Sequence, residues 1–209
     1  MTKIEVKQLE SIRRDNILFQ DINFQLTEGE LLQIDGVNGS GKSTMLRICA
    51  GLTQASEGEV YWNEQNINEC RYQYQQVMTY IGHANGVKDA LTTKENINII
   101  HALSGHEEKI DHNRVLEQIG LPGMENVLLG KMSAGQKRRI GLTRLIINSS
   151  KLWLLDEPFT SLDVIGKSII EKLIVDHCQN DGMVIFATHQ EMEIEGHEVR
   201  HIHLGRNNE

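Results

Sequence analysis

Residues 36–43, Gly-Val-Asn-Gly-Ser-Gly-Lys-Ser, combine the residue types that bind a chain of phosphates. Glycines let backbone N–H groups curl around a β-phosphate, a lysine reaches the β- and γ-oxygens, and a serine hydroxyl can bind Mg²⁺. The helical pattern that follows adds a helix N-terminus with its partial positive charge. The segment predicts an ATP and Mg²⁺ site with these candidate contacts: Gly36, Asn38, Gly39, Ser40, Gly41, Lys42, Ser43 and Thr44.

Two adjacent carboxylates follow an apolar run at Leu152–Leu155. Asp156, at the end of this run, is placed to hold Mg²⁺ through water, while Ser43 would bind the ion directly. Glu157 is placed to polarise an attacking water as general base. An acidic loop after a strand would give the same local pattern, but the presence of Lys42 upstream favours a site of ATP hydrolysis.

Ser133 and Gln136 have the spacing of a capping box, which opens a helix. The Ser-Ala-Gly sequence leaves a hydroxyl and free N–H groups at the helix N-terminus, where an anion is favoured. Residues 132–136 resemble the LSGGQ signature of ATP-binding cassette (ABC) ATPases, with Met and Ala at the variable places. Residues 161–163, Ser-Leu-Asp, resemble the D-loop of that family, and Thr188-His189 resembles its switch histidine.

The resemblance to ABC ATPases implies both a fold and a mechanism. The fold is an α/β P-loop NTPase with a RecA-like parallel sheet, an N-terminal antiparallel β-subdomain and an inserted helical subdomain. In this family the signature of one subunit closes over the nucleotide on the P-loop of the other. The resemblance therefore implies an ATP-sandwiched homodimer in which Ser133, Gly135 and Gln136 contact nucleotide, with Glu157 and His189 as the catalytic pair.

The hydrophobic pattern indicates the elements that must position these residues. Asp21–Thr27 alternates and predicts a half-buried antiparallel strand. Uniformly apolar runs predict buried strands of a parallel sheet, at Leu31–Ile34, Leu152–Leu155 and Met183–Ala187. A helix is expected after Gly41, from the spacing of Met45, Leu46, Ile48, Cys49 and Leu52.

The stretch from about Asn85 to Ile147 has mostly helix-spaced apolar positions and no convincing strand. We therefore expect a helical subdomain inserted between sheet elements. The prediction is a single ATP-binding domain over residues 1–209, with a nucleotide-binding core over about 1–84 and 150–209 and a helical subdomain over about 85–149.

Two positions depart from the general ABC pattern. His83 stands where the family carries the Q-loop glutamine, and its imidazole makes it a further candidate for the metal, with altered coupling as the expected consequence. No aromatic residue precedes Phe19, so the usual adenine-stacking ring is missing. The guanidinium plane of Arg13 or Arg14 is a candidate replacement.

His83, the short chain and residues 181–190 together resemble the CcmA family, the ATP-binding subunits of bacterial cytochrome c maturation. That resemblance implies a peripheral subunit on the cytoplasmic side of the inner membrane. Its partners would be an integral subunit resembling CcmB and further maturation subunits. ATP hydrolysis would drive haem export or release of the haem-loaded chaperone. The alternatives are a generic ABC exporter subunit with another cargo, a soluble ABC ATPase without a transport role, and a P-loop kinase.

The composition of the 209-residue chain argues against other classes of protein. A net charge of −8 does not fit sequence-independent nucleic-acid binding, which needs a basic surface. We therefore expect Lys137–Arg139 and Arg144 to form a solvated helix face. His201 and His203 are expected on an edge strand. No apolar run is long enough to cross a bilayer, and the polar N-terminus predicts no signal peptide.

Overall fold

The computed structural model of the protein describes residues 1–14, 16–105, 107–189 and 192–205. The chain divides into two compact units. The phosphate-loop unit contains Met1–Gly82, Ser150–Pro158 and Ile174–Glu209, and the helical unit contains His83–Ser149 and Phe159–Leu173. Gln190, the last residue of the segment 181–190 that resembles the CcmA family, lies outside the described residues.

The phosphate-loop unit has an antiparallel sheet near its N-terminus. In spatial order its strands are β2 (Asn16–Thr27), β1 (Lys3–Arg13), β4 (Glu57–Trp62) and β5 (Gln65–Asn66). One face of β2 is more buried than the other, which explains its alternating sequence. The predicted strand at Asp21–Thr27 is confirmed as the second half of β2.

A five-stranded parallel sheet forms the centre of the same unit. Its order is β6 (Met78–Ile81), β7 (Leu152–Asp156), β8 (Met183–Ala187), β3 (Leu31–Asp35) and β9 (Val199–His203). All neighbouring strands run parallel. β7 and β8 are buried at every residue, so apolar side chains are favoured on both of their faces. The three predicted buried strands are thereby confirmed, and the carboxyl ends of β3, β7 and β8 meet at one edge.

Two helices belong wholly to the phosphate-loop unit, α1 (Lys42–Cys49) and α2 (Arg71–Val77). α1 is shorter than the sequence pattern predicts. Gly51 has φ +66°, in the left-handed region that commonly ends a helix, and Leu52 beyond it is 47% exposed. The inclusion of Leu52 in the helix predicted after Gly41 was therefore wrong.

The helical unit contains α3 (Thr93–Ser104), α4 (His112–Gln118), a 3₁₀ turn (Leu129–Lys131), α5 (Ala134–Leu142) and α6 (Arg144–Ile147). Helix α7 (Val164–Gln179) begins in this unit and ends in the other. Within residues 85–147, the described part of the chain has an isolated bridge from Thr92 to Leu128 and no strand. The predicted helical character of this stretch is confirmed.

The helices of the described chain are too short or too polar to span a bilayer. The longest, α7, has 16 residues and carries charged side chains along its length.

Candidate functional site

The loop between β3 and α1 has a backbone that suits glycine. Gly36 and Gly41 have φ values of +148° and +102°, where residues with a Cβ are strained. A Cβ on Gly41 would also lie 2.9 Å from Cδ1 of Phe19, because the loop packs against β2. Lys42 is 7% exposed, and its Nζ donates hydrogen bonds to the carbonyls of Gly36 at 2.5 Å and Val37 at 3.1 Å. The lysine ammonium thus lies over the loop.

The remaining predicted phosphate contacts lie on this loop and on the first turn of α1. Asn38 and Gly39 are exposed, and Thr44 is half-buried. Ser40 Oγ is buried, with no hydrogen-bond partner among the described residues. Buried hydroxyls are normally hydrogen-bonded, so an orphaned one in a glycine-rich loop fits a bound oxyanion.

Ser43 and Asp156, 113 residues apart in sequence, are brought into direct contact, with Ser43 Oγ donating to Asp156 Oδ1 at 3.0 Å. Asp156 is the last residue of β7 and is 4% exposed. The pKa of neighbouring Tyr80 is raised by burial and, secondarily, by the Asp156 carboxylate. Hydroxyl and carboxylate oxygens are ligands that Mg²⁺ prefers, so this pair fits the predicted metal site.

Glu157 follows directly on Asp156 with an unusual backbone. Its φ is +51°, a left-handed value that is uncommon for a residue other than glycine and often found at functional sites. Its N–H donates to the carbonyl of Ala187 at 2.9 Å, which ties it to the end of β8.

His189 lies beside Glu157, with Nδ1 3.1 Å from Oε2 of the carboxylate. The Glu157 side chain is 17% exposed and that of His189 is 52% exposed. Both residues follow buried parallel strands, so the sheet brings together two groups separated by 32 residues. The pair joins a largely buried carboxylate to an imidazole that is half exposed to solvent.

The predicted capping box at the start of α5 is confirmed. Ser133 Oγ accepts a hydrogen bond from the N–H of Gln136 at 3.2 Å, and the Gln136 side-chain oxygen accepts one from the N–H of Ser133 at 2.9 Å. These two bonds satisfy donors that a helix N-terminus would otherwise leave free. Ser133 remains exposed, so its hydroxyl is accessible from solvent.

Gly135 is required for the packing of α5 on the segment after β7. A Cβ at this position would lie 2.5 Å from the carbonyl oxygen of Ser161, which is a backbone atom and cannot rotate away. Ser161 itself has φ +67°. The two segments predicted from the ABC resemblance, the signature and the D-loop, are therefore packed together inside the helical unit.

The prediction of a solvated basic face, made for Lys137–Arg139 and Arg144, was wrong for Arg138 and Arg139. Arg138 and Arg139 are only 3% and 7% exposed. Arg138 Nη1 donates to the carbonyl of His83 at 3.3 Å, and Arg139 Nη1 donates to those of Ile119 at 3.2 Å and Gly120 at 3.1 Å. These guanidinium groups bond to backbone carbonyls of distant segments, which the local charge pattern does not reveal.

His83 lies in the helical unit, just after its boundary with the phosphate-loop unit, and is exposed. Its carbonyl accepts the hydrogen bond from Arg138, so its backbone is attached to the signature helix α5. Ser43 and Asp156, the other two candidates for the metal, lie in the phosphate-loop unit.

His201 and His203 lie on β9, at the edge of the parallel sheet, as predicted. His201 Nδ1 is 2.8 Å from Oδ2 of Asp35. Among the residues that the structure describes, no group of three or more His, Cys, Asp and Glu side chains is arranged to hold a metal ion.

Comparison with known proteins identifies the class. Residues 19–160, more than half of the chain, match the ABC transporter family. A solved ABC transporter ATP-binding protein from Pyrococcus furiosus superposes with a TM-score of 0.82 at 22% identity, covering 97% of both chains. A solved dimeric ATP-binding cassette bound to ADP and Pi superposes with a TM-score of 0.77 at 22% identity, covering 90% of this chain and 88% of that one. These likenesses confirm the P-loop ABC ATPase fold.

Curated relatives narrow the class further. "Cytochrome c biogenesis ATP-binding export protein CcmA" of Aliivibrio fischeri is 40% identical over 202 residues, covering 97% of this chain and 99% of the relative. The protein of that name from Vibrio cholerae is 42% identical over 205 residues, covering 97% and 98%. The chain therefore belongs to the ABC transporter family of ATPases and, within it, to the CcmA family.

Proposed function

We propose that this protein is the ATP-hydrolysing subunit of an inner-membrane complex for cytochrome c maturation. The names of its relatives, which match almost the whole chain, support this role. Hydrolysis would be coupled to haem export or to release of the haem-loaded chaperone. The subunit would lie on the cytoplasmic side, attached through an integral partner resembling CcmB, together with further maturation subunits.

ATP would be bound by the phosphate loop and α1, with residues 1–209 acting as one ATP-binding domain. Backbone N–H groups from Gly36 to Gly41, the Lys42 ammonium and the Thr44 hydroxyl would contact the phosphates. Two observations support this assignment: the buried Ser40 Oγ has no hydrogen-bond partner in the described part of the chain, and the Lys42 Nζ lies above the loop.

Mg²⁺ bound here would supply positive charge that offsets the negative charge of the phosphates. Ser43 would bind the ion directly and Asp156 through water, and the 3.0 Å contact between their oxygens supports this pairing. His83 is the third candidate. Its contribution can be measured separately. If the His83 side chain binds the ion, His83→Ala should raise the Mg²⁺ concentration needed for half-maximal hydrolysis more than His83→Gln does.

Glu157 would accept the proton of the attacking water. His189 would contact both that carboxylate and the γ-phosphate, and so would position one relative to the other. The observation that carries this proposal is the 3.1 Å contact between His189 Nδ1 and Glu157 Oε2, at the carboxyl ends of the strands beside the phosphate loop. General acid–base groups must lie within hydrogen-bond reach of the reacting atoms, and strand ends hold them there.

A second copy of the chain would complete the site. Ser133, Gly135 and Gln136 at the start of α5 would contact the γ-phosphate of nucleotide bound to the partner copy. The exposed Ser133 hydroxyl at a capped helix N-terminus supports anion binding at this end of α5. An ATP-binding cassette of the same fold has been solved as a dimer.

The test is to replace the chromosomal copy with Lys42→Ala and stain membrane proteins for covalently bound haem while c-type cytochromes are induced. Loss of staining, with b-type haem and apocytochrome still present, is the expected result. Lys167→Ala is the matched control, because Lys167 is a surface lysine paired with Glu171 on α7. Normal staining in Lys42→Ala would contradict the role in cytochrome c maturation and would favour an ABC ATPase that serves another cargo.

A further inference from the structure

Gln33 is a buried amide on β3, the strand next to the edge strand β9 of the parallel sheet. It is fully buried on β3, with Phe186 of β8 and His201 of β9 as its in-register neighbours. The strand is otherwise apolar up to Asp35. A buried amide costs free energy unless both of its ends are hydrogen-bonded, so the bonds that it makes are informative.

The two ends of the Gln33 amide bond to different segments. Its Oε1 accepts a hydrogen bond from the backbone N–H of Met192 at 3.2 Å, and its Nε2 donates to Oδ1 of Asp35. The other oxygen of Asp35 contacts Nδ1 of His201 at 2.8 Å. A continuous hydrogen-bonded chain thus runs from Met192 through Gln33 and Asp35 to His201, all within the phosphate-loop unit.

Both anchored segments carry residues of the proposed hydrolytic site. Met192 is three residues after His189, and Asp35 is directly before Gly36 at the start of the phosphate loop. The Asp35 carbonyl also accepts a hydrogen bond from the N–H of Leu204 at 2.7 Å. One side-chain amide therefore links the segment after His189 to the strand that leads into the loop.

We propose that Gln33, supported by Asp35, is a positioning residue for ATP hydrolysis that acts through His189. This proposal rests on the proposed function, since it requires His189 to act with Glu157. Gln33 bonds to Met192 and to Asp35. It holds the backbone at Met192, and so keeps the His189 imidazole within reach of the Glu157 carboxylate, where a displacement of about 1 Å is enough to slow a reaction.

The experiment compares Gln33→Leu with Thr79→Val in the purified full chain, in steady-state assays with saturating Mg²⁺ and varied ATP. Leucine has a similar size but cannot bond to Met192 or Asp35. We expect the hydrolysis rate to fall by about 10- to 100-fold while the KM for ATP changes by less than about twofold. Thr79 is the control because it is also buried in the same sheet (4% exposed), on β6, and its hydroxyl is 2.8 Å from Ser150 Oγ.

Thr79→Val should lower the thermal midpoint by a similar amount but leave the hydrolysis rate near that of the wild type. Equal rate losses in the two variants would mean that Gln33 is only structural, and would overturn the proposal. A rise in the KM for ATP at an unchanged hydrolysis rate would also overturn the proposal. The hydrogen bonds of Gln33 would then affect ATP binding rather than the position of His189.

A double-mutant cycle separates this inference from the function on which it rests. If Gln33 acts through His189, Gln33→Leu adds no further loss in a His189→Ala background. Additive losses overturn the inference but leave the role of His189 intact. A normal rate in His189→Ala alone would instead remove His189 from the proposed hydrolytic mechanism.

Asp35→Asn provides a second route if Gln33→Leu does not fold. Asparagine keeps the size of the side chain and one acceptor oxygen, so only one of the two bonds of Asp35 is lost. We expect a smaller rate loss of the same kind, again at unchanged KM. A folded Asp35→Asn protein with the wild-type rate would contradict a positioning role for the network.

Discussion

The two compact units hold their proposed functional residues in different ways. In the phosphate-loop unit, Asp156, Glu157 and His189 stand at or just beyond the ends of buried parallel strands, where backbone ladders set their positions. In the helical unit, side-chain hydrogen bonds set the positions of the proposed functional residues. Ser133 caps α5, and Arg139 attaches the helix to the carbonyls of a distant turn.

This difference has a physical consequence. A strand inside a sheet is held by many backbone hydrogen bonds, so replacing one side chain at its end changes chemistry more than geometry. A helix held by a few buried guanidinium groups and one close backbone contact loses a large share of its attachment with a single substitution. Mutations in the phosphate-loop unit should therefore separate activity from stability, whereas those in the helical unit should couple them.

The strongest test of this contrast is Glu157→Gln. Removing the proton acceptor from a strand-end site should lower the hydrolysis rate by about 10²- to 10⁴-fold without loss of fold, and ATP should then hold the chain as a closed dimer. Single-turnover hydrolysis and size-exclusion chromatography with ATP measure the two effects. Glu107→Gln, in an exposed position of the helical unit, is the control. Turnover near the wild-type rate would remove Glu157 from the role of base.

In the helical unit, Gly135→Ala should weaken ATP-driven dimerisation by about tenfold or more, because the new Cβ forces the Ser161 carbonyl to move. Ala134→Ser adds one atom at the exposed neighbouring position and should have little effect. The dimer fraction against ATP concentration measures both. Gly135→Asp would be ambiguous, since steric overlap and charge repulsion would act together. Wild-type dimerisation of Gly135→Ala would show that this close contact is dispensable.

Arg139→Leu should lower the free energy of unfolding by about 1–3 kcal/mol, because it leaves the buried carbonyl of Ile119 and the partly buried carbonyl of Gly120 without this donor. Lys137→Met, on the same helix, breaks only a partly exposed ion pair with Asp89 and should cost less than about 1 kcal/mol. Urea denaturation of the two variants gives the comparison. Similar losses would contradict the view that buried arginines hold this helix.

The smallest expected effect is the pH dependence that His177 gives to the phosphate-loop unit. Its ring stacks on Trp153 at 3.7 Å, and burial lowers its pKa from 6.5 to about 4. Between these values the unfolded chain binds more protons than the folded chain, so this contribution to stability is lost as the pH falls from 6.5 to 4.

The wild type should lose about 1–2 kcal/mol more than His177→Phe over that range, after discounting the shift for partial exposure. Phenylalanine keeps the stacking but cannot titrate, and urea unfolding at pH 7 and pH 4 measures the difference. An equal pH dependence in both proteins would assign the effect to other groups.

Much of the fold could be predicted because its signals are local. The buried strands β7 and β8 are continuous apolar runs, and the cap at Ser133 is a four-residue pattern. The end of α1 was missed because the left-handed turn at Gly51 overrides a hydrophobic spacing that continues to Leu52. The basic residues of α5 were misjudged for a similar reason, since a local run of charge carries no information about the carbonyls that bury it.

The sequence by itself determined the phosphate loop, the strand that ends in Asp156 and the family, because each depends on residue types at short, fixed spacings. Only the tertiary structure decided that Ser43 meets Asp156, that Gly135 packs on Ser161, and that Gln33 joins Met192 to Asp35. Local patterns report backbone conformation and burial period. The partner of a side chain across 26, 113 or 159 residues is chosen by how the strands and helices pack.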